Sequence, residues 1–144
     1  MRKASALAMV SLTEQGHPRF FKIQVSKLDA PAVNAVVQRT VRPGNEIHCD
    51  ALASFHAALC EGYAHHYQTF DKDSGALRWV HTLISNMKSF LLGTYHGLSK
   101  KHLQSYFDEF CFRFDRRFWP LQLFPWLVCA VAASNILGYV DLTK

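Results

Sequence analysis

The chain has 144 residues, of which 49% are hydrophobic and 19% charged. That is one domain's worth of protein with the apolar side chains for a core, which excludes disorder over most of its length; seven Gly and five Pro exclude collagen-like and low-complexity classes. Sixteen Lys and Arg against eleven Asp and Glu give a net charge of +5, an excess that suits a polyanionic partner and equally suits plain solubility.

Residues 5–12 hold an apolar run, Ala6-Leu7-Ala8-Met9-Val10, of strand length, and Thr13-Glu14-Gln15-Gly16 reads as a turn. Residues 20–26 then alternate, with Phe21, Ile23 and Val25 on one face and Lys22, Gln24 and Ser26 on the other, so the two segments predict a hairpin. Its first strand lacks alternation and is expected to be covered on both faces. Asp29 is placed as an N-cap with Pro31 in the first turn, and Val33, Val36, Val37 and Val41 follow at helical spacing until Pro43-Gly44. Residues 45–50 predict a short strand, with Ile47 and Cys49 on one face and Glu46, His48 and Asp50 on the other. A helix is expected over 51–60, a second short strand over 63–70 and a polar loop over 71–75. From 77 to 92 the stripe Leu83, Ile84, Met87, Phe90 and Leu91 predicts a helix, with Gly93 at its C-cap. Ser99 is expected to cap another helix that buries Leu103, Tyr106, Phe107, Phe110 and Phe114 and ends at Asp115-Arg116-Arg117. Residues 119–140 carry no charge, but Pro120, Gln122, Pro125, Ser134 and Asn135 interrupt the run, so a buried or interface helix starting near Pro125 is expected rather than a membrane span. This order of elements reads as α/β with a mixed sheet.

Asp50 closes a strand, the end of an α/β sheet where ligands gather, yet it equally suits the N-cap of the helix after it. As a hard oxygen donor it would favour Mg²⁺. Asn86 lies mid-helix just off the apolar stripe, a boundary residue or a carbonyl donor to a metal or substrate. Lys88, two positions on, does not share its face. His48, Cys49, Cys60, His65 and His66 lack the spacing of a zinc site, and no third group activates a Cys–His pair. The four cysteines form no CxxC pair and are expected as reduced thiols in a cytoplasmic protein; the short apolar run after Met1-Arg2-Lys3-Ala4 has no A-x-A cleavage site followed by a mature start, and alternation continues beyond it, against a signal peptide. Lys88, Lys100, Lys101, Arg113, Arg116 and Arg117 concentrate positive charge in the second half. Lys100 and Lys101 at a helix N-terminus oppose the macrodipole, a hint of an anionic partner such as phosphate, with a solvated face as the alternative.

Three stretches of the second half, residues 81–88 (His-Thr-Leu-Ile-Ser-Asn-Met-Lys), 93–103 (Gly-Thr-Tyr-His-Gly-Leu-Ser-Lys-Lys-His-Leu) and 106–117 (Tyr-Phe-Asp-Glu-Phe-Cys-Phe-Arg-Phe-Asp-Arg-Arg), closely resemble bacterial insertion-sequence DDE transposases of the ISXO2-like family. Val10-Ser11-Leu12 with Gly16-His17-Pro18 resembles the family's early strand pair, and Cys49-Asp50-Ala51-Leu52-Ala53-Ser54-Phe55 its Ser-Asp-Gly-Leu-Ala-x-Phe segment. The resemblance runs from about residue 4 to residue 117.

It implies an RNase H-like fold, a mixed sheet flanked by helices, and cleavage and strand transfer of DNA by two Mg²⁺ ions. Asp50 matches the second catalytic, metal-binding carboxylate, and Asn86 the third position, where this family often carries Asn. Lys88, Lys100, Lys101, Arg113, Arg116 and Arg117 would face DNA. The family's first catalytic Asp, on a strand ahead of residues 5–12, has no counterpart here; Ala51 replaces a Gly, and Asp115 stands where Asn is usual. The chain therefore reads as a single truncated catalytic domain over 1–144, with an apolar helix in 118–144, cytoplasmic and nucleoid-associated in a bacterium and without a membrane partner. It is expected to be inactive alone, because Asp50 and Asn86 together bring one negative charge to two divalent ions, and to be only marginally stable or to associate as a homo-oligomer through strand edges left unpaired by the missing strand. The alternative is a residual DNA-binding or regulatory protein without catalysis.

Overall fold

The computed structural model describes residues 4–51, 62–68, 75, 77–95 and 97–135. Its first unit is the expected hairpin. Strands β1 (Ala6–Leu12) and β2 (Pro18–Val25) pair antiparallel, with Ala8 opposite Ile23 and Val10 opposite Phe21. The turn needs a residue at positive φ, and Gly16 supplies it at +76°. Strand β1 is covered on both faces, as its unbroken apolar run requires. Leu7 and Met9 meet α1 (Ala30–Thr40), whereas Ala6, Ala8 and Val10 pack with Phe21 and Ile23 against the helices of the second half. Helix α1 starts where Asp29 accepts a hydrogen bond from the Ala32 N–H at 3.0 Å.

Strands β3 (Glu46–Asp50) and β4 (Ala64–Gln68) pair parallel, His48 opposite His66. Among the described residues the strands form two two-stranded sheets rather than the expected single mixed sheet. They share a floor: Leu7 of β1 and Cys49 of β3 are buried in one core with Val33, Val36 and Val37 of α1. Among the described strands β1 pairs only with β2 and β3 only with β4.

Helices α2 (Arg78–Thr94) and α3 (Leu103–Asp115) cover the opposite face of the hairpin through Leu83, Met87, Leu91, Phe107 and Cys111. The Trp79 indole N–H donates to the Gly16 carbonyl at 2.8 Å and ties the start of α2 to the hairpin turn. Two expected caps shift. Gly93 lies inside α2, whose cap is Tyr95 in extended conformation, its N–H bonded to the Leu91 carbonyl. Ser99 makes no side-chain cap bond; it precedes a 3₁₀ turn, Lys100–His102, and α3 begins only at Leu103. The last described helix, α4 (Pro120–Ala132), starts at Pro120 rather than near Pro125. Proline suits the first turn, where its missing N–H would have had no partner, and Pro125 is carried inside. Among the described residues, no helix is long and apolar enough to cross a membrane. The helix expected over 51–60 lies outside the described residues except for Ala51, as do residues 69–74.

Helix α3 runs along the outer edge of β2 and satisfies its backbone with side chains. The Phe21 N–H donates to Asp115 Oδ1 at 2.8 Å, the Val25 N–H to Gln104 Oε1 at 2.7 Å, and Gln104 Nε2 donates to the Ile23 carbonyl at 2.9 Å. Arg117 reaches back to the carbonyls of Pro18 and Arg19. Such covering removes an edge that would otherwise template foreign strands.

Burial pushes the Asp115 carboxyl above the ordinary Asp range, although the Phe21 N–H, Arg116 and Arg117 pull the other way. A folded-state pKa above the unfolded one means that folding favours the protonated form. Stability from this group is therefore greatest below the ordinary Asp pKa, falls as pH rises to the raised value, and is level above it. Asp115→Asn keeps an oxygen for the Phe21 N–H and should remove this step from thermal melts recorded against pH. Asp115→Ala leaves that N–H unpaired and should cost about 1–3 kcal/mol across the range.

Candidate active site

The period of two along β3 decides which way Asp50 points. Ile47 and Cys49 face α1, so Glu46, His48 and Asp50 face the other side. Asp50 is the last residue of the strand and is exposed. Burial, then the nearby Asp50 charge, raises the Cys49 thiol pKa, which keeps it a buried thiol rather than a nucleophile.

Asn86 sits on α2 immediately before the buried Met87 and is exposed. Helix α2 packs on the hairpin face turned away from α1. Asp50 and Asn86 thus both lie on the side opposite α1. Lys88, also exposed, leaves α2 on the flank across the Met87 stripe from Asn86, since residues two apart are about 200° apart around a helix.

Beside Asp50 on the same face, Glu46 Oε1 lies 3.0 Å from Nε2 of both His48 and His66, and the two imidazoles stack at 5.0 Å. This cluster arises from the pairing of β3 with β4, two strands that the chain separates by more than a dozen residues. Alternation places Glu46 and His48 on one face; nothing local places His66 opposite His48.

Lys100 and Lys101 are exposed on the 3₁₀ turn rather than in the first turn of α3, so the macrodipole of α3 is not the reason for their position. The three arginines are engaged with the protein. Arg113 pairs with Glu109 at 2.8 Å, one helical turn away. Arg116 stacks on Phe112 at 3.8 Å and lies 5.5 Å from the Trp126 ring. Arg117 lies over Phe114 at 3.8 Å and Phe118 at 4.2 Å while holding the β2 carbonyls, and burial lowers its pKa. The Arg113–Glu109 pair and the Phe112 and Phe114 contacts lie three or four residues apart along the chain and are legible at helical spacing; the Arg117 bonds to the β2 carbonyls and the Arg116 contact with Trp126 are not.

Asp50 and Asn86 offer hard oxygen atoms, the donor chemistry Mg²⁺ takes. The count falls short: among the described residues no group of three or more His, Cys, Asp or Glu is disposed to hold a metal ion. A carboxylate and a neutral amide do not make a two-ion centre, which needs acidic ligands on both sides of the ion pair.

A family profile described as the ISXO2-like transposase domain matches residues 2–115. No curated protein and no solved structure matches the chain. The family match spans β1 through α3 and includes both Asp50 and Asn86, and on this ground the chain belongs to the ISXO2-like transposase family.

Proposed function

We propose that the chain is the catalytic domain of a DDE-type insertion-sequence transposase whose ion-holding site is incomplete, so that it binds DNA but neither cuts nor joins it alone. The observation that supports this reading is the match of a transposase family to the segment that holds Asp50, at the exposed end of β3, and Asn86, exposed on α2. In that reading Asp50 and Asn86 are two of the three positions that would hold Mg²⁺ in a complete site, where the metal would supply Lewis-acid activation of a phosphodiester. In this reading a third ligand would sit on a strand between β1 and β3. Both strands rest on α1 and do not pair with each other; an intervening strand would bond to both and turn two sheets into one RNase H-like sheet.

DNA is the partner that the family implies. A net charge of +5 and the exposed Lys88, Lys100 and Lys101 support backbone contact. Arg113, Arg116 and Arg117 also engage Glu109, aromatic rings and β2 carbonyls.

Two measurements test the proposal. Incubation of the pure chain with insertion-sequence ends and Mg²⁺ or Mn²⁺ should yield no cleaved or joined product; clear product overturns the incomplete site. Duplex binding should weaken with salt, and Lys100→Ala with Lys101→Ala should lower the slope of log affinity against log salt by about 2, roughly one for each phosphate no longer neutralised. Binding indifferent to salt overturns the DNA-facing role.

A further inference from the structure

Between the end of α3, the start of α4 and Phe20 of β2 the surface opens into a cleft of about 380 Å³, the size of a small ligand pocket and suited to one nucleoside-sized group. The rings of Phe20, Phe112, Trp119 and Trp126 line it, together with the charged side chains of Asp115 and Arg116. Phe20 and Trp119 are each 47% exposed, so ring surface is left for a ligand. Trp119 and Trp126 meet edge to face at 6.2 Å, an arrangement that leaves at least one indole uncovered by the other. Arginines are interleaved with these rings. The Arg116 guanidinium lies 3.8 Å from the centre of the Phe112 ring and 5.5 Å from that of Trp126, and the exposed Arg19 lies 5.1 Å from that of Phe20. A guanidinium resting on a ring keeps its N–H edge for acceptors. Asp115 spends Oδ1 on the Phe21 N–H, and the positive charges of Arg116 and Arg117 act against its own.

We propose that this cleft takes an unpaired base of single-stranded DNA, stacked on its rings, with the flanking phosphates against Arg19 and Arg116. The site rests on the DNA-binding reading and narrows it, since it selects the form of DNA held at this end of α3. Ring faces with arginines among them are the chemistry by which proteins hold single strands without reading sequence. In a duplex the neighbouring bases cover both faces of each base, so paired DNA gains nothing from the rings. An apolar helix or an acyl chain would cover the rings but would bury Arg116 and Asp115 without partners. A nucleotide brings a phosphate oxygen to the first and base N–H groups to the second. The cleft shares no residue with Asp50, Asn86, Lys100 or Lys101.

Fluorescence anisotropy of the full chain with a labelled oligothymidylate of about 12 nucleotides, and in parallel with a labelled duplex, tests the site. The single strand should bind and quench tryptophan emission. Trp119→Ala should weaken single-strand binding about tenfold and duplex binding less than about twofold, with unchanged circular dichroism. Phe20→Ala, at the other half-exposed ring, should do the same and serves where the Trp119 variant fails to fold. Arg19→Ala should lower the salt slope for the single strand by about 0.7. A chain that binds the duplex but not the single strand, or single-strand binding that neither ring substitution weakens, overturns the site and leaves the DNA-binding reading standing. Single-strand binding lost on ring substitution by a chain that never binds duplex supports the site and removes the duplex contact of Lys100 and Lys101. Binding of neither form overturns both.

Discussion

Phe21→Ala is expected to cost about 3–5 kcal/mol, a large share of the about 5–15 kcal/mol that a domain of this size has in hand. Phe21 is 1% exposed and is among the largest fully buried side chains of the described residues. Its ring meets Phe110 and Phe114 edge to face, each at 6.0 Å with ring planes 82° and 72° apart. Phe110 in turn contacts Phe90 of α2 at 5.6 Å, so this one ring joins the hairpin to both helices above it. Truncation removes the transfer free energy of a benzyl group, leaves a cavity and ends two aromatic pairings at once. The sheets cannot make up for that packing, since a two-stranded ribbon is marginal without a helix on its face. Phe21→Leu refills most of the space and should keep the fold at a smaller loss. Urea melts followed by circular dichroism would separate the two. An alanine variant as stable as the parent would mean that the hairpin is not held through this ring.

What is legible in the chain is whatever repeats locally. The valines of α1, the stripe of α2 and the Phe107–Cys111 face of α3 each recur at helical spacing, and Asp29 announces its cap through its own side chain. Gly93 misleads because glycine permits a helix end without compelling one; the end comes two residues later, at Tyr95. Pro125 misleads similarly: beyond the first turn of α4 it removes one hydrogen bond, yet the helix continues through it to Ala132. The separation of the strands into two sheets depends on which edges meet, and edges leave no mark on hydrophobic period. For the candidate site, alternation along β3 gives the direction of Asp50, and the Leu83–Met87–Leu91 stripe leaves Asn86 exposed. The Glu46–His48–His66 cluster requires the register of β3 on β4. Glu109 and the rings of Phe112 and Phe114 stand three or four residues from the arginines they engage and could be read from helical spacing, whereas the β2 carbonyls held by Arg117 carry no local sign of that role.

Gln104→Ala should destabilise the fold by about 2–3 kcal/mol although it removes no buried hydrocarbon of consequence, because several groups lose a partner together. The Gln104 amide uses its full capacity. Oε1 accepts from the Val25 N–H at 2.7 Å and from Gln24 Nε2 at 3.2 Å, while Nε2 donates to the Ile23 carbonyl and to Asp108 Oδ1, both at 2.9 Å. Two of these partners are backbone groups on the outer edge of β2, where no described strand is present to take them. Alanine strands both in a half-buried seam, and part of β2 regains the character of an open edge. Gln104→Glu separates bonding from volume. It retains the acceptor for the Val25 N–H but loses the donor to Ile23 and sets a second carboxylate against Asp108. Its deficit should therefore shrink as pH falls through the carboxylate range and one proton restores a donor, whereas the alanine deficit should not recover in the same way. Hydrogen exchange would locate the effect: the Val25 amide should exchange faster in Gln104→Ala, while amides of β2 bonded to β1, such as Lys22, should keep most of their residual protection. Equal acceleration along the whole strand would mean that Gln104 supports the hairpin globally rather than closing its edge.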